Sequence, residues 1–423
     1  MNKFLRKSVS VIVSGCVLAG MLSGCGNTNN GKTVIEVMQY KREAIDTFDD
    51  LVAEFEAQNP DIDVVITSPN DATVMIKTRL IKNNAPDIIG IGGDRAFADF
   101  VYGGVIEDIS DFEGLSDVKP EYLQMTKDLE LIPTEGIYAV PFAANANGVL
   151  YNKDMFAEHG WEIPKTWDEF ISLLEQIKSE GVNPLYFTLK EVWTDLAAWN
   201  SIDASINGPE LFQQVNEGET TFSEAYSLTA DKYQQLLQYG QNDPFAYGYN
   251  DGCIGFGNGE AAMFLQGNWA IPQILSSNPN INIGCFPMPA TNSEEDNVLT
   301  SGIDLLFSVM KGTEHREECL RFIDFMIQYN SVKKYTEEQQ AVSCIKGDFE
   351  YADSLKDLEP YFEAGKIQDF PDHHYPAEMP GGDMIQGFLL NGDKEAFLNN
   401  FDTEWIKTNR DIINKLKKLE EQS

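Results

Sequence analysis

Apolar residues in the first hundred positions switch between two spacings. Thr33-Val34-Ile35-Glu36-Val37-Met38 is a β-branched run that predicts a strand, and Gln39 to Arg42 reads as the loop after it. Phe48, Leu51, Val52 and Phe55 then recur at three and four residues, the spacing of a helix with one buried face, and Asn59-Pro60 stops it. Ile62 to Thr67 alternates as a second strand, Val74 to Leu80 returns to helical spacing, and Pro86-Asp87-Ile88-Ile89-Gly90 is a short buried strand. Strand, helix, strand, helix, strand in so short a stretch predicts an α/β architecture with a parallel, doubly wound sheet. Ligands of such sheets gather beyond the carboxyl ends of the strands, which here are Tyr40-Lys41, Asn70-Asp71 and Gly93-Asp94-Arg95.

A second region opens near Tyr138-Ala139-Val140-Pro141 and runs to about Gly284. It holds a helix over Trp167 to Lys178, with Trp167, Phe170, Leu173, Leu174 and Ile177 on one face, Pro164 ahead of it and Thr166 placed to cap it. Residues 284–330 read as sheet and then helix, with Leu320, Ile323 and Ile327 as its core face. The tail from Ser331 to Ser423 is mostly helical, apart from a Pro- and His-containing loop at Phe370 to Gly382, whose Asp372-His373-His374 reads as solvated. At the other end, Lys3, Arg6 and Lys7 precede an apolar run from Val9 to Met21 that closes on Leu22-Ser23-Gly24-Cys25. That run is too short for a spanning helix and reads as a secretory leader, residues 1–24, followed by a small, polar tether.

Composition narrows the function. The 423 residues carry 67 acidic and 31 basic side chains, a formal net charge of −36, which repels nucleic acid and anionic lipid and suits a neutral or cationic ligand. Beyond Cys16 and Cys25, the cysteines Cys253, Cys285, Cys319 and Cys344 are scattered without a metal spacing; buried free thiols are the preferred reading, with one disulfide left open. Hydrolase signatures are nearly absent. There is no Gly-x-Ser-x-Gly elbow, and Ser331-Val332-Lys333-Lys334 stands without its partner motifs. Gly255-Phe256-Gly257-Asn258-Gly259 lacks dinucleotide spacing, and Asp372-His373-His374 reads as loop rather than metal site. No metal and no cofactor is expected.

Two resemblances add to this reading. Leu22-Ser23-Gly24-Cys25 resembles the lipobox of bacterial lipoproteins, which implies that Cys25 is diacylated and becomes the mature N-terminus on a membrane surface. Four further segments, in order, cover most of the remaining chain: Ala85-Pro-Asp-Ile-Ile-Gly-Ile-Gly-Gly-Asp-Arg95; Tyr138-Ala-Val-Pro141 leading to Gly148-Val-Leu-Tyr-Asn-Lys-Asp-Met-Phe156; Ile163-Pro-Lys-Thr-Trp-Asp-Glu-Phe170; and Phe256 to Trp269. They resemble the extracellular solute-binding proteins of ATP-driven sugar importers, the family that contains maltose-binding protein.

That resemblance implies two α/β lobes of the type II periplasmic-binding kind, with 33–144 and 284–330 in one, 145–283 and 331–423 in the other, and crossings near Asn145, Gly284 and Asn330. It implies capture of a carbohydrate, an oligosaccharide favoured, by closure of the lobes. Delivery would follow to ABC permease subunits served by a cytoplasmic ATPase, the receptor itself being a monomer on the outer face of a membrane. The contact residues it implies are Tyr40 and Lys41 after the first strand, Asp94 and Arg95 as a hydroxyl-gripping pair, and Glu191 and Trp193 as an acid with a stacking ring. Trp269 is a sugar platform, and Asn145 stands where relatives carry a carboxylate. Ile91 replaces an aromatic residue of the pattern, so one platform and one charge are lost. A secreted glycoside hydrolase and a sensor or adhesion lipoprotein on the same fold stay open, as do polyol, peptide and polyamine ligands.

Overall fold

The computed structural model describes residues 31–69 and 71–421; the expected leader and the lipid site at Cys25 lie outside them. Strands β1 (Thr33–Gln39), β2 (Ile62–Thr67) and β3 (Ile88–Ile91) are mutually parallel, as their alternation with helices requires. The sheet is nevertheless mixed. Strand β10 (Ile303–Val309) inserts antiparallel between β3 and β4 (Val140–Ala144), and β11 (Val342–Ser343) closes the edge, giving the order β11-β4-β10-β3-β1-β2. Helices Ile45–Gln58 and Arg316–Met326 cover one face, where Phe55 meets Phe322 edge-on at 5.2 Å in a core fully closed to water.

A second, four-stranded sheet has the order β6-β7-β5-β8, from β5 (Val149–Asn152), β6 (Leu185–Tyr186), β7 (Met263–Phe264) and β8 (Ile283–Phe286). Its largest helix cluster packs Trp167, Phe170, Trp199, Tyr226 and Phe401 in one core. Thr166 does cap the helix Trp167–Ser179, its hydroxyl accepting from the Glu169 N–H. A short parallel pair, β9 (Leu299–Thr300) and β12 (Ile367–Gln368), stands apart.

The two lobes are thus discontinuous in sequence, and two expected boundaries move. β8 pairs with β5, not with the first sheet, so the return crossing lies at 300–303 rather than at Gly284. Helix Tyr329–Gln339 and β11 belong with the six-stranded sheet, where Val332 and Tyr335 are fully buried. The last crossing therefore falls between Ile345, which bridges to Val118 of the first lobe, and the turn Asp353–Leu358 against β8, not at Asn330. The first two crossings are stitched together. The Asn145 N–H donates to the Gly302 carbonyl at 3.1 Å, the Gly302 N–H donates to Asn145 Oδ1 at 3.2 Å, and Ser301 Oγ donates to the Asn145 carbonyl at 2.6 Å. All four cysteines among the described residues are free and buried. Burial pushes the thiols of Cys253, Cys285 and Cys319 up to about 12, so they stay protonated and inert. Among the described residues no helix is long and apolar enough to cross a membrane.

Candidate functional site

The first lobe presents charges that are already paired. Lys41, just past β1, places Nζ 2.9 Å from Asp304 of β10 and 2.7 Å from Glu43. Burial works against that cation, but Asp304 and Glu43 outweigh it and hold its pKa above the ordinary lysine value. The Tyr40 hydroxyl donates to the Asp304 backbone carbonyl, and burial, then Asp304, keeps it firmly protonated. Asp94 follows β3 and caps the helix Arg95–Tyr102, accepting from the Ala96 N–H at 2.8 Å and more loosely from that of Phe97. Burial raises its pKa, while His373 across the lobes pulls it back.

The second lobe presents rings. Trp269 packs against Gly267, where any Cβ would stand 2.1 Å from the indole, so only glycine lets the ring sit there. Its Nε1 donates to Gln266 Oε1 at 3.1 Å, and its ring lies 6.2 Å from Phe370. The Tyr249 hydroxyl donates to the Trp269 carbonyl, and the Tyr249 ring is 4.8 Å from Trp193. Glu191 orders this rim, accepting from the Tyr249 N–H at 2.8 Å and from Trp193 Nε1 at 3.1 Å; Trp193 itself is 43% exposed.

Where the walls meet, the structure departs from expectation. The Asp372-His373-His374 loop, expected to be solvated, lies in a 3-10 turn, Pro371–His374, that packs between the lobes. His373 donates or shares a proton with Asp369 at 2.8 Å, and Phe370 stacks on it at 4.8 Å. Burial opposes a charge on His373, but Asp369, then Asp372 and Asp94, raise its pKa to about 10. One Asp369 oxygen is left buried with no donor. Gly302 of the hinge leaves room for this turn: a Cβ there would meet Asp369, Phe370 and His373 within 2.8 Å.

Arg95 reaches over to the second lobe, its Nη1 3.0 Å from Asn409 Oδ1 and 3.4 Å from the His374 carbonyl, while its Nε pairs with Asp99. Of the residues anticipated from sequence, Tyr40, Lys41, Asp94 and Arg95 stand just past strands of the first lobe, with Arg95 bonding to Asn409 of the second, and Glu191, Trp193 and Trp269 stand in the second lobe, whereas Asn145 is committed to the hinge seam. Around them stand Asp304, paired with Lys41; Tyr249, beside Trp193; Gln266, which accepts from Trp269; and Asp369, Phe370 and His373 in the turn between the lobes. Sequence reading passed over Asp304, Tyr249 and Asp369 and took Phe370 and His373 for loop residues, since each gains meaning from the opposite lobe or a distant strand. Among the described residues no group of three His, Cys, Asp or Glu side chains could hold a metal ion.

Two discontinuous α/β lobes joined by a stitched hinge are the architecture of a solute-binding receptor. The chain belongs to the bacterial extracellular solute-binding protein family, whose pattern matches residues 42–329. It is 28% identical to the multiple sugar-binding protein of Streptococcus mutans over 86% of each chain. It is also 24% identical to the melibiose/raffinose/stachyose-binding protein MelE of Bacillus subtilis over 84% of this chain and 85% of that one. Among solved structures, ligand-free RafE from Streptococcus pneumoniae superposes with a TM-score of 0.79 at 25% identity, over 89% of this chain and 98% of that one. RafE with raffinose bound gives 0.73 at 26% identity, over 89% and 100%.

Proposed function

We propose that this protein captures a neutral carbohydrate, an oligosaccharide favoured, between its lobes and hands it to an ABC importer, without making or breaking a bond in it. The observation that carries this reading is Trp269, held against Gly267 with its ring 6.2 Å from Phe370, which in turn stacks on His373 beside Asp94. A rigid indole offers the apolar face that a sugar's C–H groups need, and carboxylates with an imidazolium offer acceptors and donors for its hydroxyls. The ligands of relatives point the same way: melibiose, raffinose and stachyose for MelE, and raffinose for RafE. Such a receptor closes on binding by shifting an open population to a closed one.

The setting belongs to the same proposal. Cys25 carries the lipid, the folded part stands outside the cytoplasm on a membrane surface as a monomer, and separate permease and ATPase subunits receive the closed form. A thermal-shift screen of residues 27–423 against mono- and oligosaccharides, polyols and polyamines tests the ligand class. A ligand at a hundred times its dissociation constant adds about 2.7 kcal/mol, enough to raise the midpoint clearly. A shift with an oligosaccharide that is recovered unchanged supports the reading; a shift only with a polyamine, or a sugar recovered cleaved, overturns it.

A further inference from the structure

Asn268, the residue before Trp269, has both ends of its side chain committed to backbone. It is 5% exposed, and Trp269 after it opens the helix Ala270–Ser277. Its Oδ1 accepts from the Ala146 N–H at 2.9 Å, and its Nδ2 donates to the Gln340 carbonyl at 2.9 Å. One partner can only donate and the other can only accept, so the carboxamide has a single orientation. The Asn268 N–H returns to the Ala146 carbonyl at 2.9 Å, which closes a ring of hydrogen bonds on the first crossing between the lobes. Beside it, Asn147 and Gly267 bridge antiparallel. Trp269 is thus fastened to the crossing as well as to the second lobe.

The bond to Gln340 is of another kind, because it leaves the second lobe. Gln340 ends the helix Tyr329–Gln339, which packs with the six-stranded sheet through Val332 and Tyr335. It stands in the left-handed region at φ 52°, where residues with a Cβ are rare. Its N–H donates to the Thr336 carbonyl and its Nε2 to the Glu337 carbonyl at 3.0 Å, so the turn is held from within the first lobe. Strain of this kind persists where the surroundings over-determine it, and it makes the Gln340 carbonyl a fixed point. Other bonds between the lobes serve other elements. Asn145 with Gly302 lies in the hinge seam, and Arg95 with Asn409 joins the helices Arg95–Tyr102 and Lys394–Glu420.

We propose that Asn268 is a positioning residue that sets the angle of the lobes and the seat of Trp269 together. Its carboxamide clamps the segment before the indole between the first crossing and Gln340, so a ring seated on Trp269 meets the first lobe in one arrangement. Without the Gln340 bond the first lobe swings more freely about the crossings, and fewer molecules hold the arrangement a ligand needs. Trp269 as a ligand contact rests on the carbohydrate reading above. The hold on the lobe angle needs no ligand to be seen.

The test measures spin-label distances in residues 27–423 between Lys77→Cys on the first lobe and Ser172→Cys on the second, both exposed positions in a chain whose described cysteines are buried. The doubly labelled parent is compared at pH 8, without ligand, with the same chain carrying Asn268→Ala or Asn268→Asp. The ionised aspartate keeps an acceptor for the Ala146 N–H but has no donor for the Gln340 carbonyl. Both variants should at least double the width of the distance distribution. Both should also bind raffinose about tenfold more weakly than the parent, the loss expected when a buried carbonyl is left unpaired. Trp269→Ala should weaken raffinose binding while leaving the ligand-free width unchanged. Parent-like widths in both Asn268 variants overturn the proposal. So does an alanine variant that broadens while the aspartate variant matches the parent, since only the Ala146 bond would then matter. A parent that binds no raffinose counts against the carbohydrate reading, while the ligand-free widths still support or overturn the clamp by themselves.

Discussion

The two lobes solve the problem of polar groups in different ways. The first pairs them: Lys41 with Asp304 and Glu43, Arg79 with Glu36, Arg95 with Asp99. The second buries carboxyl groups among rings with no cation beside them. Asp195 is wholly buried with neither oxygen accepting a hydrogen bond, and burial pushes its pKa up to about 8. Asp203, served by Thr229 and Asn207, is pushed up to about 7. The contrast continues among the proposed site residues, where the first lobe contributes Lys41, Asp94 and Arg95 and the second chiefly Trp193, Tyr249, Trp269 and Phe370, with the pair Asp369–His373 beside them. A pre-paired polar wall keeps its geometry whether or not a ligand is there, while an exposed aromatic face gains most when water is displaced from it. On this account the second lobe supplies most of the affinity and the first lobe most of the orientation.

Removing the platform should have the largest effect. Trp269→Ala should cost about 3 kcal/mol of binding, more than a hundredfold by titration calorimetry, with the melting midpoint little changed because the ring is only partly buried. A loss under fivefold would put the affinity elsewhere. The second effect concerns the core. Because the folded pKa of Asp195 lies above the unfolded value near 3.9, its contribution is fully present below about pH 4 and is lost as pH rises toward 8. Asp195→Asn should therefore match wild type in urea unfolding near pH 4 and exceed it by about 2 kcal/mol at pH 8. An equal difference at both pH values would mean that the carboxyl group is not protonated in the fold.

Smaller effects sharpen the contrast between walls. Asp94→Asn keeps a residue able to cap the Arg95 helix but removes the charge facing His373. It should weaken ligand binding about tenfold, the worth of a charge-assisted hydrogen bond, with stability within about 0.5 kcal/mol of wild type. A large drop in stability without a change in affinity would make Asp94 a cap and nothing more. Trp193, at the exposed rim, should matter least: Trp193→Ala should cost under about 1 kcal/mol, severalfold in affinity, visible only with ligands long enough to reach it.

Local order was readable before the structure. The alternation that builds β1, β2 and β3, the Thr166 cap and the placing of Trp269 after Gly267 follow from neighbours in the chain, where spacing and turn chemistry carry the information. The return crossing was not readable. Ile283–Phe286 is a short buried run that could pair in either sheet, and only its partner β5 decides. The same holds for β10, whose neighbours β3 and β4 lie far away in sequence. His373 and Asp369 look like loop residues because their burial comes from the other lobe and from Gly302. Asn145 is the converse case: a polar residue at a site position whose hydrogen bonds all go to the hinge.

Small-angle X-ray scattering of the soluble chain, with and without the sugar that raises its melting midpoint, tests the central claim most directly. Capture between an ionic and an aromatic wall predicts a smaller radius of gyration on saturation, and none of that contraction in Trp269→Ala at the same sugar concentration. An unchanged profile at full saturation would mean that the ligand sits on one lobe alone, and would contradict the account.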